Sequence, residues 1–127
     1  MQFNDNQPIW LQIYDYICRG ILSGKWPEQE RLPSVRELAA NLQVNPNTVM
    51  RTYEKLESDA LISNRRGIGF FVNPDARTRT LEAQRHEFLT RELPALFRRM
   101  EELGLDTNML RQLHERYKQE QHHENKQ

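Results

Sequence analysis

The stretch VNPNTVMRTYEKL, Val44 to Leu56, decides how the chain folds. Asn45 is a residue type that caps helix N-termini, and Pro46 fits the first helical position, where a missing N–H costs nothing. A helix therefore starts here and is expected to reach about Asp59. At ~100° per residue, Val49, Tyr53 and Leu56 fall within roughly 60° of one another and form the inward stripe. Asn47, Thr48, Arg51 and Lys55 fall on the opposite side. The helix is pinned along one face and presents amides, a hydroxyl and two cations along the other.

Upstream, RLPSVRELAANL places Ser34 and Glu37 at capping-box spacing, so a helix starts there and runs through Val35, Leu38, Ala39 and Leu42. Gln43 and Val44 leave a turn of a few residues, which is the helix-turn-helix outline. A first helix is expected from Pro8 to about Ser23, with Ile9, Leu11, Ile13, Ile17, Ile21 and Leu22 apolar. Gly24 and Trp26-Pro27 end it. Downstream, Leu61–Asn64 and Ile68–Val72 read as two strands around Arg65-Arg66-Gly67, and Asn73-Pro74 closes the module. A β-hairpin directly after a helix-turn-helix is a wing.

From about Ala76 a helical pattern returns. Leu81, Phe88, Leu89, Leu93, Leu96, Phe97, Met100 and Leu103 make a wide apolar face, with a kink expected at Pro94. Gly104 stops this helix, and Asp106 or Thr107 caps a last one with Met109, Leu110, Leu113 and Tyr117 inward. The polar end, KQEQHHENKQ, is expected to fray.

Composition restricts the function. The chain has 127 residues, 37% hydrophobic and 28% charged, enough for one domain or a small domain with an appendage. No apolar run approaches the ~20 residues of a membrane span. The start, MQFNDNQPIW, lacks the pattern of a secretory signal, and the single cysteine, Cys18, cannot form an internal disulfide. The cytoplasm is the expected compartment. Net charge is zero, with eight cations and eight anions in residues 1–73 and ten of each in 74–127. Overall charge therefore does not nominate nucleic acid, and only the placement of charges can. His86, His114, His122 and His123 are scattered, so no metal site is expected. No phosphate loop and no nucleophile with a base is present, so neither a cofactor nor catalysis is expected.

Placement of charge favours DNA. In a helix-turn-helix the first turn of the second helix enters the major groove, where Asn47 and Thr48 can reach base edges or phosphates. The helix N-terminus, capped by Asn45, turns free N–H groups and positive dipole toward phosphate. Arg36 lies in the first turn of the preceding helix, which crosses the DNA backbone in this architecture. Arg51 shares the outer face. Arg65 and Arg66 at the wing, with Gly67 beside them, allow close approach to a sugar-phosphate groove. The C-terminal ~54 residues cannot form a sound core alone. A second copy solves this most simply, with Phe88, Leu96, Phe97, Met100, Leu103, Leu110, Leu113 and Tyr117 at the dimer interface; the alternative is that these helices fold back on the winged module.

The run GKW…RLPSVRELAANLQVNPNTVMRTYEKLESDALISNRRGIGFFV resembles the DNA-binding domain of the GntR family of bacterial transcription regulators over about residues 8–73. It looks most like the YtrA-like subfamily, through LPSVRELA, VNPNTVMRTY and RRGIGFFV. The resemblance implies a winged helix-turn-helix bound as a dimer to a palindromic operator, with contacts at Arg36, Asn45, Asn47, Thr48 and Gly67. It also implies control of neighbouring genes, often those of ABC-type transporters. Many relatives have Ser-Arg at Asn45-Pro46 and Arg at Met50, so those arginine roles are not carried over; Asn47 and Arg51 stand in by their place on the outer face. The glycine usual before the first wing strand is Ala60 here, which counts against a left-handed cap. Longer relatives carry an effector-binding or aminotransferase-like domain for which this chain has no room.

The expectation is a mainly α chain with a small antiparallel β-hairpin. It comprises a winged helix-turn-helix over 1–73 and a two-helix C-terminal dimerisation segment, a helical hairpin, over 74–127. Its expected function is that of a sequence-specific regulator, a repressor binding a palindromic operator as a homodimer, with no effector assigned. The alternative is a winged-helix protein-interaction module that uses no DNA; a protein-only module has no reason to align Arg36, Asn47, Arg51 and the Arg65-Arg66 wing.

Overall fold

The chain was analysed as a computed structural model, which describes residues 1–124. It divides into two compact units, Met1–Gln84 and a second from Arg85 onward. The first contains α1 (Ile9–Ser23), α2 (Val35–Leu42), α3 (Pro46–Ser58), β1 (Ile62–Arg65) and β2 (Gly69–Val72), and most of α4 (Ala76–Glu87). The second contains a π-helical segment (Phe88–Glu92), α5 (Leu93–Leu103) and α6 (Thr107–Glu124). The architecture is mainly helical with one antiparallel two-stranded sheet. Among the described residues no helix is long and apolar enough to cross a membrane.

The helix boundaries follow from local chemistry. Ser34 Oγ accepts the Glu37 N–H at 3.1 Å, which starts α2. Gln43 ends α2 in the left-handed region, and the turn leads straight to Asn45, whose Oδ1 accepts the Asn47 N–H at 2.8 Å to start α3. α1 ends at left-handed Gly24. Gly20 within α1 has a packing reason: a Cβ there would meet the Trp26 ring at 2.2 Å.

The core of the first unit joins Ile13, Ile17 and Ile21 of α1, Leu38 and Ala39 of α2, and Val49, Tyr53 and Leu56 of α3, with Ile62 and Val72 below. Ile9, expected on the inward side of α1, is exposed. Thr52 is fully buried beside the apolar stripe, because its hydroxyl donates to the Trp10 carbonyl at 2.9 Å and the Thr48 carbonyl at 3.1 Å. Cys18 is free and buried, and desolvation pushes its thiol up to about 12, so the reactive thiolate is suppressed at neutral pH.

The wing is backed by a segment with no strand pattern. The Gln29 N–H donates to the Val72 carbonyl, the Val72 N–H to the Glu30 carbonyl, and the Leu32 N–H to the Phe70 carbonyl. Residues 29–32 thus form a short ladder on the outer edge of β2. Gly69 suits this place by its backbone, at φ 140°, a conformation that L side chains rarely adopt, and Arg31 lies against it.

The first unit runs on past residue 73. Ala76 belongs to its core and Thr80 is buried, so the opening of α4 packs with the winged module. In the second unit the expected kink at Pro94 takes the form of the π-helical turn just ahead of it. Proline has no N–H and its ring crowds the carbonyl four residues earlier, which a widened turn relieves. Asp106 caps α6 through the Met109 N–H at 2.9 Å. Residues 118–124 of the polar end, where fraying is expected, are helical; 125–127 lie outside the described residues.

α5 and α6 do not close on each other as a hairpin would. Met109, Leu110, Leu113 and Tyr117, expected inward, are all exposed. Of the residues expected at a dimer interface, Met100 differs: it is 6% exposed and already covered within the single chain, so it is not available to a partner. Phe88, Leu96, Phe97, Leu103, Leu110, Leu113 and Tyr117 stay exposed.

Ala60 holds the left-handed conformation that its side chain counted against, at φ 61°. The Ala60 N–H donates to the Glu57 carbonyl and the Leu61 N–H to the Leu56 carbonyl, so the exit from α3 is hydrogen-bonded in that shape. A left-handed L-residue costs about 1–2 kcal/mol, and glycine's extra freedom when unfolded returns about 0.4–1 of that. Ala60→Gly is therefore expected to stabilise the protein by about 0.5–1 kcal/mol, read as a higher urea midpoint at unchanged slope. A lower midpoint would contradict the strain.

Candidate nucleic-acid interface

Three elements carry the polar outer face of the winged unit. In α2, Arg36 sits in the first turn and is exposed. In α3, Asn47 and Arg51 are exposed, opposite the buried Val49, Tyr53 and Leu56. In the hairpin, Arg65, Arg66, Gly67 and Ile68 are exposed at and beside the tip. The Ile68 N–H donates to the Arg65 carbonyl at 2.9 Å, and Gly67 takes φ 79°, so the tight turn uses a conformation suited to glycine.

Two of the expected contact residues are less free than their sequence positions indicate. Asn45 exposes its side chain but commits Oδ1 to the cap, leaving its amide NH₂ for an outside acceptor. Thr48 is half-buried rather than fully outward, since it lies beside the Thr52 contact to α1.

The cations are distributed unevenly between paired and unpaired states. The ion pairs among the described residues join Lys55 to Asp59, Arg79 to Asp75, Arg91 to Glu87 and Arg99 to Glu102. Arg36, Arg51, Arg65 and Arg66 occur in none of them. Arg51 instead lies over the Trp10 ring, its Cζ 4.9 Å from the centroid, and Arg65 over the Phe71 ring at 3.9 Å. Aromatic stacking orients a guanidinium without neutralising it or occupying its N–H donors. Lys55, on the same side of α3, is partly neutralised by Asp59, so the positive character of the helix is concentrated toward its N-terminal half.

Arg36, Arg51 and Arg65 are linked by no direct contact. They are held in register by the scaffold between them. Tyr53 donates its hydroxyl to the Pro33 carbonyl, just ahead of α2, at 2.6 Å, and its ring meets Phe70 of β2 edge-on at 5.0 Å. One buried side chain of α3 thus touches the approach to α2 and the wing together.

Sequence reasoning missed Trp10 and Arg31. Trp10 read only as part of the first helix; its cation-stacking role needs α1 to cross α3. Arg31 is exposed and lies over Gly69 beside the wing, a placement that depends on the ladder of residues 29–32. Arg31 precedes LPS without any local signal for that ladder.

The model of the family described as "Bacterial regulatory proteins, gntR family" matches residues 10–72. The chain is 39% identical over 105 residues to the HTH-type transcriptional regulator YhcF of Bacillus subtilis, covering 82% of this chain and 84% of that protein. A crystal structure of a GntR-family regulator from Bacteroides thetaiotaomicron is 41% identical, covers 90% of this chain and 99% of its own, and superposes with a TM-score of 0.77. The chain belongs to the GntR family. It is a DNA-binding helix-turn-helix regulator by that membership. Similarity to the transcriptional repressor YtrA of B. subtilis, 38% identical over 77 residues, supports the YtrA-like subfamily. That match spans 61% of this chain and 59% of YtrA.

Arg36→Ala and Arg51→Ala are expected to weaken DNA binding on all sequences while leaving the thermal midpoint within about 4 °C, since both side chains are exposed. If each neutralises one phosphate, the slope of log affinity against log salt falls by about 0.9 per module. Titrations at several salt concentrations check this; unchanged slopes in both variants would remove phosphate contact from these residues.

Proposed function

We propose that this GntR-family chain is a transcriptional repressor that binds a palindromic operator as a homodimer. The observation that carries the DNA reading is the placement of exposed arginines on α2, α3 and the wing, the elements by which a winged helix-turn-helix meets DNA. Among the described residues, Arg36, Arg51, Arg65 and Arg66 remain exposed and outside every ion pair, on α2, α3 and the wing, although the chain is neutral overall.

In this reading the first turn of α3 lies in the major groove. Asn47 reads a base edge and Thr48 contacts base or phosphate, with the Asn45 amide beside the backbone. Arg36 and Arg51 grip phosphates on either side, and Arg65, Arg66 and Gly67 follow the adjacent groove with the wing. Repression is the activity named for YtrA, and the proposal extends it to this chain.

Dimerisation is supported by the apolar side chains that the second unit leaves uncovered. Phe97 is 46% and Tyr117 58% exposed, and Phe88, Leu96, Leu103, Leu110 and Leu113 are exposed with them. Burying one large apolar side chain contributes about 1.5–3 kcal/mol, so several per chain outweigh the cost of association. Two tethered modules then reach two half-sites, and the tether raises avidity without any new contact. A symmetric dimer matches a palindrome.

Sedimentation of the full chain at micromolar concentration is expected to give twice the 15.2 kDa monomer mass. Phe97→Glu with Leu113→Glu is expected to give monomer and reduce affinity for a selected operator by at least about 100-fold, toward nonspecific binding. A monomeric wild-type chain, or a monomeric variant with full operator affinity, would contradict the dimer reading.

A further inference from the structure

We infer that Trp10 is a positioning residue for DNA binding: its indole holds the Arg51 guanidinium on the outer face of α3, ready for phosphate. This rests on the DNA reading of Arg51 given above and adds to it a residue on a different helix.

Arg51 is exposed and takes part in no ion pair or side-chain hydrogen bond among the described residues, yet its Cζ lies 4.9 Å from the Trp10 ring centroid. Trp10 is half-buried, so part of the indole is held in the fold while Arg51 lies over its ring. The platform is fastened to α3 itself. Thr52, next in sequence to Arg51 and fully buried, donates its hydroxyl to the Trp10 carbonyl at 2.9 Å. On the other side, buried Gln12 grips the N-terminal segment. Its Oε1 accepts the Asn4 N–H at 3.0 Å, and its Nε2 donates to the Asn4 carbonyl at 2.8 Å and the Gln7 carbonyl at 2.9 Å. The start of α1 is therefore held by specific hydrogen bonds on both sides of Trp10.

The stack suits a phosphate ligand better than an acidic neighbour would. A carboxylate partner would cancel the charge and use the N–H fork; an aromatic face does neither. It also restricts a long side chain before DNA arrives, so less rotamer freedom is lost on binding. Lys25 shows what a structural cation stack looks like in the same protein. It lies over Tyr16 and Trp26 but also donates its ammonium to the Tyr16 hydroxyl at 2.7 Å. Arg65 over Phe71 repeats the unbonded arrangement at the wing.

The test uses the full chain and a DNA fragment selected by the wild-type protein from random sequence. Affinities are measured for wild type, Trp10→Leu, Trp10→Phe, Arg51→Ala and the Trp10→Leu/Arg51→Ala double variant, with thermal midpoints alongside. An exposed cation–π contact predicts that Trp10→Leu weakens binding by about two- to fivefold per module and that Trp10→Phe restores part of it. In the Arg51→Ala background the Trp10 substitution is expected to have no further effect. Equal affinity for wild type and Trp10→Leu, with Arg51→Ala weakened, would overturn the positioning role and leave the DNA reading standing. Additive losses in the double variant would also overturn it, because Trp10 would then act independently of Arg51. Full affinity in Arg51→Ala would overturn the underlying reading instead. Should Trp10→Leu fail to fold, the comparison of wild type with Trp10→Phe, in the presence and absence of Arg51, makes the same discrimination.

Discussion

The winged unit depends on one side chain, Tyr53. It is fully buried in α3, donates its hydroxyl to the Pro33 carbonyl and sets its ring edge-on to Phe70. Burial raises the pKa of that hydroxyl, with Glu37 adding to the effect, so it stays a neutral donor through the physiological range. A buried aromatic with a satisfied polar end supplies area and direction together. Through it the orientation of α3 is tied to the entry of α2 and to β2, and therefore to Arg36, the Asn47–Arg51 face and the wing. The same helix is tied at its far end to α1, where Tyr14 donates to Asp59 at 2.6 Å.

A neutral chain can recognise a polyanion if its charges are sorted. The ion pairs among the described residues join a cation to a carboxylate within one helical turn, as in Arg79–Asp75, Arg91–Glu87 and Arg99–Glu102. On the outer face of α2, α3 and the hairpin, Arg36, Arg51, Arg65 and Arg66 take part in no ion pair among the described residues, and aromatic rings lie under Arg51 and Arg65. Exposed pairs add little stability, so leaving these arginines unpaired costs the fold little. Their full charge stays available for counterion release on DNA.

Much of the fold was legible because the signals were local. Asn45-Pro46 and Ser34…Glu37 mark helix starts by chemistry that acts within one turn, and Val49, Tyr53 and Leu56 reveal their common face by period. What escaped was non-local. Residues 29–32 join the edge of β2 although Pro27 and Pro33 flank them and no apolar alternation marks them. Thr52 is buried because a carbonyl of another helix accepts its hydroxyl, which no reading of α3 alone can show. Ala60 keeps a glycine-like conformation because both flanking backbone amides are bonded in that turn. Of the candidate site, exposure of Arg36, Asn47, Arg51, Arg65 and Arg66 followed from face and turn position. Trp10 and Arg31 required tertiary placement. In α5 and α6, Leu96, Phe97, Leu103, Leu110, Leu113 and Tyr117 are exposed, whereas Met100, which shares their sequence pattern, is covered within the chain.

The central claim is that the first turn of α3 and the wing tip form one DNA-facing surface held in place by the buried side of α3. Hydrogen exchange of the full chain, with and without a DNA fragment that it selects, tests this most directly. The account predicts slowed exchange on DNA binding at residues 47–51 and 65–69, with the amides of Tyr53 and Leu56, deeper in the core stripe, slow in both states. Protection confined to other surfaces, with exchange at 47–51 and 65–69 unchanged at saturating DNA, would contradict it.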